Sequence, residues 1–180
     1  MTTTIFDNLP VDADDLPKIE EVDFRPIEKK YLRVSLMVSV IIWTLLIGGY
    51  LAIIHFTDSE KTLINYLAGS GALMLFAIFN ITVITLGFKK KKYTLRQRDV
   101  MYTKGLLWHV RTSIPFNRIQ HAELKQGPLE RMYKLHSLKV FTAGGQSSDL
   151  VIPGLKENTA LAIKDFILGK TAADGETAKS

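Results

Sequence analysis

Two uninterrupted apolar runs, Val34–Phe56 and Leu67–Phe88, dominate the first half of the chain, and neither contains Asp, Glu, Lys or Arg. A hydrocarbon layer about 30 Å thick is crossed by roughly 20 apolar residues at about 1.5 Å rise per residue, and a charge at its centre costs a few kcal/mol. Each run is therefore predicted to be a transmembrane helix, with the short segment 57–66 between them. After Lys92 the period shortens. Tyr93 and Leu95 alternate with Thr94 and Arg96, and similar short runs recur at Val100–Tyr102, Val110–Ile114, Leu138–Phe141 and Leu150–Ile152. Breaks fall at Arg98-Asp99, Lys104-Gly105, Pro115-Phe116-Asn117, Gln126-Gly127-Pro128, Ala143–Ser148 and Pro153-Gly154. Alternation bounded by turn formers predicts strands, and strands so closely spaced, with no long helix between them, predict an antiparallel meander. Leu129–Tyr133 is predicted to be one helical turn. A closing helix is predicted over about Lys156–Leu168, with Ala162, Ile163, Phe166 and Ile167 as its apolar stripe, Leu161 outside that stripe and Gly169 as its stop.

With 180 residues, of which two spans consume roughly 45, there is room for one soluble domain of about 80 residues. The predicted organisation is an acidic, unstructured tail over 1–24, a basic juxtamembrane segment over 25–33, spans over 34–56 and 67–88, and an external loop over 57–66. A cytoplasmic mainly-β domain follows over 89–169, and then a disordered tail over 170–180. The tail assignment rests on Asp7, Asp12, Asp14, Asp15, Glu20 and Glu21 with Pro10 and Pro17, too little apolar surface to offset conformational entropy. The net charge of +5 is unevenly spread. Arg25, Lys29, Lys30 and Arg33 precede the first span, Lys89, Lys90, Lys91 and Lys92 follow the second, and the loop between holds Asp58 and Glu60 against Lys61. Lys/Arg bias in short loops sets orientation, so both termini are expected in the cytoplasm and the loop outside. The segment before Val34 is polar and begins acidic, which does not match a cleavable signal.

Chemistry-bearing residues are sparse. There is no cysteine, which excludes disulfides, thiolate catalysis and Cys-based zinc sites. His109, His121 and His136 match no zinc spacing, and solvent-facing strand histidines are the simpler expectation; His121 and Glu123 sharing a strand face give two ligands at most. Gly144-Gly145 is followed by no Gly-Lys-Ser/Thr and no helix, so a hairpin turn is expected there. No nucleophile elbow or triad can be assembled, no cofactor is implied, and the net positive charge is used at the bilayer, not for nucleic acid. Asn80 lies inside the second span; an interhelical hydrogen bond is the simpler reading, an ion or ligand site the sharper one. Ser35 with Ser39, Thr44 with Gly48, and Ala68 with Ala72 are spaced four apart and would let helices approach closely. Lys89–Lys92 suffices as a stop to translocation and also attracts anionic lipid, by about 1 kcal/mol per lysine near the surface. Arg96 and Arg98, with Lys104 and Arg111, extend positive charge into the first strands; on one face with the lysines they would press towards headgroups as part of the membrane surface, and a solvated strand face is equally compatible with them.

A string of segments resembles one family. Tyr93-Thr94-Leu95, Gly105, Thr112-Ser113-Ile114-Pro115, Arg118-Ile119, Gln126-Gly127-Pro128-Leu129-Glu130-Arg131, Leu138-Lys139-Val140, Thr142-Ala143-Gly144-Gly145 and Pro153-Gly154-Leu155, after two spans, are similar to the bacterial pleckstrin-homology-like, YdbS-like membrane proteins over about Pro26 to Leu168. The chain departs from them at Tyr133-Lys134-Leu135, where the family often carries glycine before the leucine. The resemblance implies a membrane α-helical hairpin plus a pleckstrin-homology-like domain, a bent antiparallel sheet capped by a C-terminal helix. It transfers no catalytic residue, and it implies a bacterial inner-membrane location and a second such membrane protein, or another copy of this one, as partner. The turn near Arg98-Asp99 is too short to cradle a phosphoinositide. Expected on this basis is a non-enzymatic binding or assembly module at the cytoplasmic face, with no small-molecule substrate. An anionic-lipid sensor, or a small transport or enzyme subunit built around Asn80, are the rival readings.

Overall fold

In the computed structural model, which describes residues 23–57, 63–143 and 149–177, both apolar runs are helices: α1 (Lys29–Phe56) and α2 (Leu63–Phe88). Both are long and apolar enough to cross a membrane. Leu45, Leu46 and Ile53 on α1 and Leu75, Phe76 and Phe79 on α2 point away from the protein, a surface suited to lipid and not to water. The acidic tail over 1–22, the loop over 58–62 and the Gly144-Gly145 turn lie outside the described residues.

The remaining strands form two antiparallel sheets. The first runs β1 (Arg25–Pro26), β2 (Lys92–Leu95), β3 (Asp99–Lys104) and β4 (Val110–Pro115) in that order. A 3-10 turn, Phe116–Arg118, leads into the second: β5 (Ile119–Lys125), β6 (Leu135–Thr142) and β7 (Leu150–Lys156), with the short helix α3 (Pro128–Met132) between β5 and β6. Helix α4 (Glu157–Thr177) closes the fold. Val100, Tyr102 and Ile114 from the first sheet, Leu138, Val140 and Ile152 from the second, and Ala160, Ile163 and Ile167 from α4 share one core with Phe116. This is the mainly-β, helix-capped domain that the alternating pattern predicts.

Four details differ from expectation. Arg25–Pro26 is a strand of the sheet, paired with Tyr93 and Lys92, so the domain begins before the first helix, not at residue 89. β5 is an additional strand. Its buried residues Ile119 and Ala122 are three apart because the register slips between Ile119 and His121, and this slip hides the alternation. In α4 the buried row is Ala160, Ile163 and Ile167, while Ala162 is exposed and Phe166 is half-exposed, meeting Phe116 edge-on at 5.7 Å. Gly169 does not stop that helix, which continues to Thr177; a helical glycine costs only about 1 kcal/mol relative to alanine.

The domain is joined to α1 directly. Two residues of β7, Pro153 and Gly154, stand opposite the single residue Ser137, a bulge that frees the Gly154 carbonyl. That oxygen accepts the Glu28 amide at 3.0 Å. Ile27, just ahead of α1, is 3% exposed within the domain core, and Tyr31 in the first turn of α1 and Phe88 at the end of α2 pack against the same core. Tilting the domain away would expose Ile27 alone at a cost of about 1.5–3 kcal/mol. Glu28 also meets Lys156 at 3.3 Å, a solvent-screened pair that adds little.

Candidate functional site

The inner face of the hairpin is built from polar and small groups. Ser39 donates its hydroxyl to the Asn80 Oδ1 at 2.8 Å and the Trp43 Nε1 donates to the same oxygen at 3.4 Å. Ser39 and Ala77 are buried between the helices. Nearer the far end, Gly69 lies beneath Tyr50, whose hydroxyl donates to the Asn65 carbonyl at 2.8 Å. Asn80 therefore bridges α1 and α2 within one hairpin. Tyr50, whose place near the outer boundary suits an amphipathic side chain, also closes onto α2; Trp43 and Gly69 carry no such signal, although Gly69, Ala77 and Asn80 share a helical row that marks the seam.

Of the proposed helix-association residues, Ser39 and Asn80 lie in that seam and Ser35 is half-buried beside it. Thr44, Gly48, Ala68 and Ala72 are exposed on the outer surface instead. Spacing of four places residues on one face but does not say which face the partner helix takes. Ala72 lies in a shallow apolar hollow of about 410 Å³ with Leu75, Phe76 and Phe79.

The basic residues divide similarly. Lys89, Lys90 and Lys92 are exposed at the end of α2 and the start of β2. Lys91 turns inward, its ammonium 5.1 Å from the centre of the Tyr31 ring. Burial first, and the nearby Lys104 second, push its pKa below the ordinary lysine value. Arg96 and Arg98 stand apart from the lysines. β2 and β3 pair Lys92 with Thr103 and Leu95 with Val100, so the turn carrying both arginines is at the opposite end of the hairpin from Lys92 and Lys104, about 10 Å along the strands. Arg96 is moreover committed to Asp99: its Nε donates at 2.7 Å and its Nη2 to the second carboxylate oxygen, which also accepts the Ser113 hydroxyl at 2.6 Å. The hydrogen bonds from Arg96 hold the Asp99 carboxyl below the usual carboxylate range.

The Gln-Gly-Pro-Leu-Glu-Arg segment is a lock on a turn. Glu130 accepts the Gly127 amide at 2.8 Å and the Ser137 hydroxyl at 2.7 Å, while the Gln126 side-chain amide donates to the Leu135 carbonyl at 3.0 Å. Tyr133 behind it donates to the Met37 sulfur of α1 at 3.3 Å. His109 and His121 are exposed, and His121 stacks on Phe141 at 4.3 Å, within 3.6 Å of Glu123. His136 departs from the solvent-facing expectation: on the central strand of its sheet it is half-buried, with Nδ1 buried and unpartnered. Among the described residues no three His, Cys, Asp or Glu side chains gather as a metal site.

The profile of the bacterial PH domain family matches residues 27–171. The transmembrane protein YdbS of Bacillus subtilis (strain 168) is 30% identical over 76 residues, which are 42% of this chain and 46% of that relative, so the match spans less than half of the relative's length. No solved structure matches the chain.

Proposed function

Since the chain belongs to the bacterial PH domain family, and carries that domain on a membrane hairpin, we propose that it is a non-catalytic assembly module. In this reading it presents the domain in one fixed pose at the cytoplasmic face of the inner membrane to another membrane protein of similar build, or to a second copy. The carrying observation is the junction with α1. With the Glu28 amide on the Gly154 carbonyl, and Ile27 and Phe88 packed on the domain core, the domain moves with the helices. A weak partner contact made by a fixed surface in a shared membrane forgoes much of the orientational cost of association. The outward-facing Thr44, Gly48, Ala68 and Ala72, and the hollow at Ala72, supply small residues where a partner helix can approach. Asn80 has its oxygen engaged inside the hairpin, which supports a structural role over a transport site.

A photo-crosslinking residue at Ala72, activated in native membranes, tests this reading. It is expected to capture one membrane polypeptide, and Gly48→Leu to diminish that adduct while leaving the hairpin intact. Crosslinks to lipid alone would end the assembly reading. The absence of native cysteine makes orientation separately testable: Gln120→Cys is expected to resist impermeant thiol reagents in intact cells.

A further inference from the structure

The loop over 105–109, which joins β3 to β4, carries two largely exposed apolar side chains: Leu107 is 80% and Trp108 83% exposed. The loop is shaped, not slack. Gly105 has φ +106, and a side chain there would collide with the Trp108 carbonyl. Its position explains its composition. Gly105, Leu106, Trp108 and Val110 form one wall of a crevice of about 370 Å³, and Val83, Ile84 and Gly87 of α2, within the membrane-crossing helix, form the other. The apolar loop is thus continuous with a surface that faces lipid. Trp is enriched where membranes meet water, since its ring is apolar and its N–H still finds a partner. The same crevice is lined by Lys91 and Lys104. Neither has an ion-pair partner among the described residues. Two lysines without a carboxylate partner, Lys91 also resting against the Tyr31 ring, beside an apolar lining match an amphiphile with an anionic head.

We propose that this crevice binds one anionic phospholipid, its phosphate between Lys91 and Lys104 and an acyl chain along Val83, Ile84 and Leu106, while Leu107 and Trp108 enter the boundary of the bilayer beside it. The site lies at the opposite end of the β2–β3 hairpin from the short turn at Arg98-Asp99. It rests on the bilayer-spanning hairpin and not on assembly with a protein partner, so loss of the Ala72 crosslink would leave lipid binding unchanged.

Native mass spectrometry of the full chain released from detergent tests the site, using phosphatidylglycerol and phosphatidylcholine of identical acyl composition. The expected result is one phosphatidylglycerol retained at least tenfold better than phosphatidylcholine. Lys104→Glu should reduce that retention tenfold or more, Lys104→Gln by less, and Arg98→Glu, the same charge change on an exposed residue at the far end of the hairpin, should leave it unchanged. Equal retention of the two lipids, or equal loss in Lys104→Glu and Arg98→Glu, overturns the proposal. Fluorescence in vesicles reads the loop separately. The difference between the parent chain and Trp108→Phe isolates the Trp108 emission from that of Trp43. Quenching of that emission by lipids brominated near the top of the acyl chain supports insertion, and quenching by aqueous acrylamide without quenching by brominated lipid overturns it.

Discussion

Gly154 and Tyr31 are in such close contact that a β-carbon added to the glycine would lie 2.6 Å from the tyrosine Cβ and 2.7 Å from its Cγ. Gly154 also has φ +67, the left-handed region in which a side chain is strained. Two independent reasons therefore reserve the position for glycine, and both act at the point where the domain meets α1. Gly154→Ala is expected to destabilise the protein by about 2–4 kcal/mol, from backbone strain and overpacking together. Thermal unfolding in detergent measures the loss. Combining Gly154→Ala with Tyr31→Ala removes the collision but leaves the strain, so the double variant is expected to lose less than the two single losses added together. Strict additivity would mean that the two residues do not press on one another.

Asn80 gives a second prediction, inside the membrane. Replacing it with leucine leaves the Ser39 hydroxyl and the Trp43 N–H without their shared acceptor. The hairpin is expected to lose about 1–2 kcal/mol, the range for polar contacts between membrane helices. In a double-mutant cycle, Ser39→Ala is expected to cost much less in the Asn80→Leu background than alone, because the bond it would break is already gone. Steric trapping of the hairpin in detergent is the direct measurement. Full additivity would place the value of Asn80 elsewhere.

What could be read from the chain depended on how strict the governing physics is. A bilayer tolerates no charge in a lipid-facing run, so both helices were legible from composition alone. The partition of Thr44, Gly48, Ala68 and Ala72 to the outside was not, because small residues suit lipid and helix contacts alike. The two-residue strand at Arg25 carries no period and contains Pro26, so only pairing with β2 reveals it. Leu107 and Trp108 sit in a loop of five residues, too short to carry a period. Their meaning comes from standing beside Val83 and Ile84, a relationship between segments far apart in sequence. Arg96 and Arg98 looked like an extension of Lys89–Lys92, yet an antiparallel turn carries the chain away from its starting point within four residues.

The Arg96–Asp99 pair sets a dependence on acid. Hydrogen bonds from Arg96, aided by Ser113, lower the pKa of Asp99 in the folded protein. A lowered folded value means that the unfolded chain binds the proton more readily. The stabilisation is therefore complete above the unfolded aspartate pKa of about 3.9, and it is lost as the pH falls through the lower folded value. Arg96 is partly exposed, so solvent screens the pair and the effect is modest. Asp99→Asn is expected to flatten the stability profile below about pH 4 while changing its slope little at neutral pH. Unfolding midpoints measured across that range test it. An unchanged acid limb in the variant would assign the limb to other carboxylates.

Lys134 is the one non-glycine residue among the described residues with a positive φ, +53, the conformation that glycine favours. The amide of Lys134 donates to the Arg131 carbonyl at 3.1 Å and that of Tyr133 to the Glu130 carbonyl at 3.1 Å, so the end of α3 is closed in the manner of a left-handed helix cap. The residues around it impose that geometry. Glu130 is bound to the Gly127 amide and the Ser137 hydroxyl, and the Gln126 side chain to the Leu135 carbonyl, while Leu135 is buried at 1% exposure. With both flanks held, lysine must adopt the left-handed region at a cost of about 1–2 kcal/mol relative to a residue without a β-carbon. Glycine would recover that strain but would also enlarge the freedom of the unfolded chain, which returns roughly 0.5–1 kcal/mol. The difference favours Lys134→Gly by up to about 1.5 kcal/mol, whereas Lys134→Ala, which retains the β-carbon, is expected to gain nothing. Lys134→Val, branched at that carbon, should lose stability. Chemical denaturation of the three variants orders them, and a glycine variant no more stable than the alanine one would show that the strain inferred from the dihedral is not stored there.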